Sequence, residues 1–538
     1  LTAVLLQPAA ANQVRVLTTP VVVSSTAKVG VPAVPGNVRA APDANLKLWL
    51  YDPRSATGAA LATGIFIQNL GTKTDWQFVP ANPDGSLHLK LPAGDYQFDT
   101  VEPQGLGSGF ARIRYLVTVS AAGVASIRNN IPDASGFHAV TIYAAVPAAS
   151  AQAQKARNDL WARANLPASA FKPGSPCQLL DQVTPNRSLA TDISAGFPKV
   201  RIRLPSSGHI RALIVPVDFP DLNGRDDPGK FFTPLANDVR AFYLKQSYGR
   251  LAFDFDIVPN WVRLPFSPGK YGFTSMNGSG DFNSYRSDII ALTSSQIDYS
   301  KYDAVYFLVP KEMPMAQMGY GPAITTPVWT STGFVANGAT GGADMYYNES
   351  RGVVGAQWKW MAHETGHALG LYDEDLGHAS QTLGFWSIMA YNWSNSGIEH
   401  NGWDRYLQGW LPEKQLACLA KPRSARTVSL SPLERQGAGI KAAMVPLSSS
   451  KILVMESRRN EGYDRIAAGN EGVLVYTVDM TRGSLGGGYR TQRRPGSSAP
   501  NFEGAALHAG DSVTVDGVTV TVTATDADGD TVTVSKQS

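Results

Sequence analysis

Short runs of alternating apolar and polar residues, each closed by turn formers, occupy both ends of this 538-residue chain and constrain its fold more than any other feature. From Leu46 onward come Lys47-Leu48-Trp49-Leu50-Tyr51, Gly64-Ile65-Phe66-Ile67, Ser86-Leu87-His88-Leu89-Lys90-Leu91 and Tyr115-Leu116-Val117-Thr118-Val119. They are broken by Asn82-Pro83-Asp84-Gly85 and Pro92-Ala93-Gly94-Asp95. A period of two suits strands with one buried face, and this rhythm of strands and turns suits a small β-sandwich. The same pattern returns at Lys451–Met455, at Val473–Val478 and in the Val/Thr tail from Asp511 to Lys536, with turns at Asp516-Gly517 and Asp526–Asp530. The middle differs. Ile210–Val217 is almost continuously apolar, as a doubly covered strand requires, and Phe231–Tyr248 carries Leu235, Val239, Phe242 and Tyr243 at helical spacing before Gly249. A second helix is expected at Tyr285–Gln296 and a second buried strand at Ala304–Val309.

The chain therefore divides into an extended leader (1–45), a β-sandwich accessory or pro-domain (46–147), a helix and linker (148–207, the helix at 148–166), a mixed domain (208–420) and a C-terminal β-rich domain (421–538). Within the last, the Gly-, Arg- and Ser-rich stretch 482–505 reads as a mobile loop. Charged residues at 17% against 43% hydrophobic ones exclude a disordered chain or a coiled coil. With 47 basic against 44 acidic residues and no basic run, nucleic acid is not an expected partner. A monomer is expected. No apolar run reaches the ~18 residues of a membrane span. The opening Leu1–Leu6, followed by Gln7-Pro8-Ala9-Ala10-Ala11, resembles the rear of a secretory signal, so an exported, extracellular protein is expected. The two cysteines, Cys177 and Cys418, lie on either side of the mixed domain, and an oxidising compartment can join them.

One segment carries chemistry: Trp358-Lys359-Trp360-Met361-Ala362-His363-Glu364-Thr365-Gly366-His367-Ala368-Leu369-Gly370-Leu371-Tyr372-Asp373. On a helix, His363 and His367 project from one face and can share a tetrahedral zinc ion. Glu364 stands beside the first ligand, placed to take a proton from water at the metal without ligating. Gly370 falls where the helix should end and can turn the chain back so that Asp373 supplies the third ligand. Glu374 and Asp375 compete with Asp373 for that role, and His378 is a further rival. Downstream lies Trp386-Ser387-Ile388-Met389-Ala390-Tyr391.

That second segment resembles the Met-turn of metzincin proteases, which implies that Met389 forms an apolar floor beneath the metal and that Tyr391 steadies a developing oxyanion. The wider chain resembles secreted metalloproteases of the immune inhibitor A type. The resemblance runs through Leu213–Asp221, Tyr243–Leu251, Ile297–Asp303, the two motifs and Trp403–Leu411, and extends to Met455–Arg458 and Gly472–Asp479. It implies His363, His367 and Asp373 as ligands and Glu364 as base. The family often reads Pro-Asp where this chain has Tyr372-Asp373. The fold expected is α+β and multidomain, with a metzincin-like zinc protease domain flanked by N- and C-terminal β-sandwich-type domains.

Asp218, Asp221, Asn223, Asp226 and Asp227 crowd one stretch and offer oxygens for Ca2+ as a second cofactor. Asp526, Asp528 and Asp530 imitate the start of an EF-hand loop but lack its closing Glu, so a hairpin turn is expected there. The function expected is that of a secreted zinc endopeptidase acting on extracellular protein or peptide substrates. The alternatives are a non-catalytic zinc-containing binding or adhesion protein and a protease directed to glycoproteins.

Overall fold

The structure is a computed structural model that describes residues 14–23, 43–52, 59–60, 64–72, 77–100, 114–127, 137–141, 171–183, 195–199, 203–265, 267–273, 280–324, 328–330, 334–347, 356–374, 382–420, 424–483 and 486–536. The helix expected at 148–166, the signal-like opening, Asp375 and His378 lie outside the described residues. The architecture is mixed α+β and multidomain in character, with few helices and many sheets.

The N-terminal β module joins Leu46–Asp52, Ser86–Leu89 and Phe137–Thr141 in one sheet, and Gly64–Asn69, Gly94–Thr100 and Arg114–Val119 in a second. Leu48, Leu50, Ile65, Leu87, Phe98, Val117 and Val140 fill a core of its own between them. Alternation delivers this directly, because every second side chain of a strand faces the same way.

The middle of the chain is built on a parallel sheet. Its order runs Val14–Val16, Leu251–Ile257, Gly208–Asp218, Ala304–Leu308, Gly338–Thr340. The helix Pro228–Gln246 crosses between the neighbouring strands Gly208–Asp218 and Leu251–Ile257. Asp227 caps it by accepting from the Lys230 amide (3.0 Å), and its apolar stripe Phe232, Leu235, Val239, Phe242, Tyr243 is buried. It ends where Tyr248 and Gly249 take left-handed backbone (φ 52° and 80°). The leader departs from expectation. Residues Val14–Val16 form the edge strand of this sheet, pairing in parallel with Phe255–Ile257. A three-residue strand whose partner lies far along the chain has no local signature.

The C-terminal region contains a five-stranded sheet in the order Leu416–Cys418, Ala442–Pro446, Lys451–Arg458, Gly472–Asp479, Tyr489–Thr491, and a four-stranded antiparallel sheet of Arg426–Leu430, Gly529–Lys536, Val518–Asp526 and Ser512–Val515. Ala443, Val445, Leu453, Met455, Val473 and Val475 face the second sheet. The intervening residues Ala442, Met444, Ile452, Val454, Leu474 and Tyr476 join the core of the parallel-sheet region. The boundary drawn after residue 420 therefore cuts through a sheet, since Leu416–Cys418 pairs with Ala442–Met444. Cys177 and Cys418 are joined by a disulfide, their Cα atoms 5.9 Å apart. The described residues of the stretch 482–505 include regular structure. They hold the strand Tyr489–Thr491 and the buried Phe502, whose carbonyl accepts from Trp386 Nε1 (2.7 Å).

Candidate metal centre

The motif segment folds as the helix Gln357–Ala368, anchored on its inner side by Tyr243 Oη, which donates to the Ala362 carbonyl (2.5 Å), and by Tyr306 Oη, 2.7 Å from Thr365 Oγ1. Four-residue spacing puts the rings of His363 and His367 side by side, 4.8 Å between centroids. The helix stops at Gly370, whose φ of 92° would strain a residue with a Cβ, and the Leu371 amide returns to the Gly366 carbonyl (2.9 Å). The turn brings Asp373 back over the helix. Its Oδ1 lies 3.3 Å from Nε2 of both His363 and His367. Among the described residues these three form the one group of three or more potential metal ligands whose donor atoms converge, all within 4.8 Å of one another.

Two imidazoles and one carboxylate are a donor set that a divalent cation such as zinc accepts. Tetrahedral ligands at about 2.0–2.1 Å from a metal stand about 3.3 Å apart, the separation seen from Asp373 to each imidazole. His363 Nδ1 donates to the Ile388 carbonyl (2.8 Å) and His367 Nδ1 to the Leu371 carbonyl (2.9 Å). Each ring thus keeps its proton on Nδ1 and turns the lone pair of Nε2 toward the shared point.

Of the neighbouring acids, Glu374 turns the other way. It is buried, its Oε1 accepts from Asn401 Nδ2 (2.6 Å), and burial with the nearby Asp404 pushes its pKa well above the usual range. Glu364 is buried beside the cluster, 8% exposed. Burial pushes its pKa up to about 8; His363 opposes the shift, Asp344 and Asp373 add to it, and the Ala323 amide bonds the carboxylate.

The turn Ser387–Met389 grips this loop twice. The Ile388 carbonyl accepts from His363 Nδ1, and the Met389 carbonyl accepts from the Glu374 amide (3.1 Å), one residue past Asp373. Met389 is fully buried, and its sulfur would stand 2.3 Å from a Cβ at Gly366, so the methionine rests on the helix between the two histidines. The half-buried Tyr391 ring lies edge-on to Phe385 (5.6 Å) and Trp393 (5.1 Å).

Sequence reading missed the strip Pro322-Ala323-Ile324, whose Ala323 amide faces Glu364. Two buried arginines pin it: Arg286 donates to the Pro322 and Ala323 carbonyls (3.2 and 3.3 Å), and Arg203 to the Ile324 carbonyl (3.1 Å). Asp344 ties the same strip to the motif helix, accepting from the Gly321 amide (3.2 Å) and Trp360 Nε1 (2.9 Å). A signal for Arg286 existed, because it falls among Phe282, Tyr285, Ile289 and Ile290 on the buried face of its helix.

The acids suggested for calcium do not converge. Asp218 is buried in a two-pronged pair with Arg263 (2.6 Å for each bond), Asp226 pairs with Lys311 (2.9 Å), Asp227 caps a helix and Asp221 is exposed. Asp526 accepts from the Asp528 and Gly529 amides within a hairpin turn (2.8 and 3.1 Å). Compared with known proteins, the chain matches no family model and no curated protein. No described helix is long and apolar enough to cross a membrane.

Proposed function

We propose that the protein is a secreted, metzincin-like zinc endopeptidase that hydrolyses peptide bonds of extracellular proteins. The observation that carries this reading is the convergence of His363, His367 and Asp373, with the buried, non-ligating Glu364 beside them. A structural zinc site uses four protein ligands and needs no adjacent base, whereas a catalytic one keeps a position open. When bound, zinc supplies Lewis acidity, making water ionisable near neutrality and polarising the scissile carbonyl.

The chain's own residues do the rest. His363 and His367 present neutral Nε2 atoms fixed by their Nδ1 hydrogen bonds, and Asp373 contributes the negative charge. Glu364 takes the proton from the attacking water and passes it to the leaving amine. The Ala323 amide, held by Arg286, orients that carboxylate. Tyr391 donates to the oxyanion as the peptide carbonyl becomes tetrahedral. The Cys177–Cys418 disulfide accords with export.

The deciding experiment compares cleavage of unfolded casein by the wild type and Glu364→Ala, with zinc content measured in both. The expected result is retained zinc with activity lost. Equal activity in the two ends the proposal.

A further inference from the structure

The edge of the parallel sheet is occupied by a segment that behaves as a ligand. Val14–Val16 pairs in parallel with Phe255–Ile257, and the Leu17 amide continues the ladder to the Ile257 carbonyl (2.8 Å). Arg15 reaches Asp256 with two bonds, Nε to Oδ1 at 2.9 Å and Nη2 to Oδ2 at 3.0 Å, while Tyr302 Oη also donates to Oδ2 (2.9 Å). Farther along, two side-chain amides act as surrogate strands. Asn260 accepts from the Val21 amide and donates to the Val21 carbonyl (2.8 Å each). Gln296 does the same for Val22 (2.9 and 2.8 Å). Val21 is buried, and Val14, Leu17 and Val23 pack on the same core. Gly229, in the first turn of its helix, leaves room for Val16, whose Cγ1 a Cβ there would approach to 2.9 Å.

All these partners belong to the parallel-sheet region, although the strap is followed in sequence by the N-terminal β module, whose core is separate. We infer that the sheet edge is a peptide-binding groove, selective for an extended apolar segment with one arginine, and that residues 14–23 are a detachable strap that fills it. The groove reads backbone through the ladder and the two amides, and sequence through the buried carboxylate of Asp256. Filling it also satisfies donors and acceptors of Leu251–Ile257 that an open edge would offer to other chains. The inference needs neither the metal nor peptidase activity.

The test uses the full chain with a recognition site for a sequence-specific protease inserted at residue 33. After cutting, size-exclusion chromatography at physiological salt is expected to show the N-terminal fragment co-eluting with the remainder, and excess synthetic peptide of residues 12–23 is expected to displace it. Arg15→Glu, at a side chain 63% exposed, leaves the receptor untouched and sets a carboxylate against Asp256. It is expected to release the fragment at least about tenfold faster. A fragment that elutes alone from a folded remainder, or one that Arg15→Glu retains as long as the wild type does, overturns the inference.

Discussion

Gly366→Ala tests the packing beneath the candidate metal centre. The added Cβ would stand 2.3 Å from Met389 Sδ, 3.0 Å from its Cε and 3.6 Å from Tyr243 Oη. Ordinary contacts begin at about 3.5 Å, so the sulfur must retreat by about 1 Å. It has nowhere to go, since Met389, Ile388 and Trp386 are all fully buried. Overpacking of this kind costs about 1–3 kcal/mol, and the better helix propensity of alanine returns about 1 kcal/mol, leaving a net loss of about 0–2 kcal/mol. The larger effect falls on metal binding. Pushing Met389 away moves the carbonyls that hold His363 Nδ1 and the Glu374 amide, and loss of such supporting bonds lowers metal affinity about 10–100-fold. Zinc titration against a competing chelator and urea unfolding read the two effects. Met389→Ala alone is expected to cost about 2–5 kcal/mol. In the double variant the new methyl enters the vacated space, so the combined cost falls short of the sum by about 1–3 kcal/mol. Strict additivity, or a Gly366→Ala protein that is more stable and binds zinc normally, refutes the reasoning.

Replacing Cys177 and Cys418 by alanine opens a loop with a sequence separation of 241, for which chain entropy gives about 5 kcal/mol as an upper value. An unchanged urea midpoint would contradict it. Arg286→Met strips donors from Thr340, Pro322 and Ala323; the expected loss is about 1–3 kcal/mol, with kcat lowered at constant zinc content and partly restored by Arg286→Lys. Normal casein turnover by Arg286→Met would remove Arg286 from the positioning of Glu364. Asp344 is pushed up from 3.8 to about 7 by burial, against the hydrogen bonds it accepts. Between those values the folded state keeps a proton that the unfolded state has released, so this group's contribution falls as pH rises from about 4 to about 7. Asp344→Asn cannot ionise, and the wild type is expected to lose stability relative to it between about pH 4 and pH 7; parallel curves in chemical denaturation would show that Asp344 does not titrate there.

What could be read in the sequence was whatever local spacing converts into geometry. Alternation marked strands such as Leu46–Asp52 and Val518–Asp526, four-residue spacing put His363 and His367 on one helical face, and Gly370 marked the turn that aims Asp373. The failures share a cause, which is that a partner far along the chain changes the meaning of a local pattern. Asp218 and Asp226 look like oxygen ligands until Arg263 and Lys311 neutralise them, and Val14–Val16 looks like leader until a sheet edge takes it up. The break after residue 420 looks like a domain boundary until the strands on either side of it are seen paired.

The last of these bears on the candidate metal centre itself. Asp373 sits on a turn rather than on the helix, so its aim depends on what holds its neighbour. The Glu374 amide is fixed by Met389, and its carboxyl accepts from Asn401, whose Oδ1 caps the short helix Gly402–Leu407 and lies 3.1 Å from Tyr476 Oη on the C-terminal sheet. Tyr476 Oη donates that bond, and Glu456 on the neighbouring strand accepts from the amide of Gly402, the residue after Asn401 (2.6 Å). A buried chain of hydrogen bonds thus runs from the third ligand's loop into the β region. Buried polar chains of this kind are costly to leave half-satisfied, so the sheet and the loop are under mutual constraint. The C-terminal sheet is therefore part of what positions the candidate ligand Asp373, and a chain cut at the composition boundary would lose the support of Asp373 before it lost the motif helix.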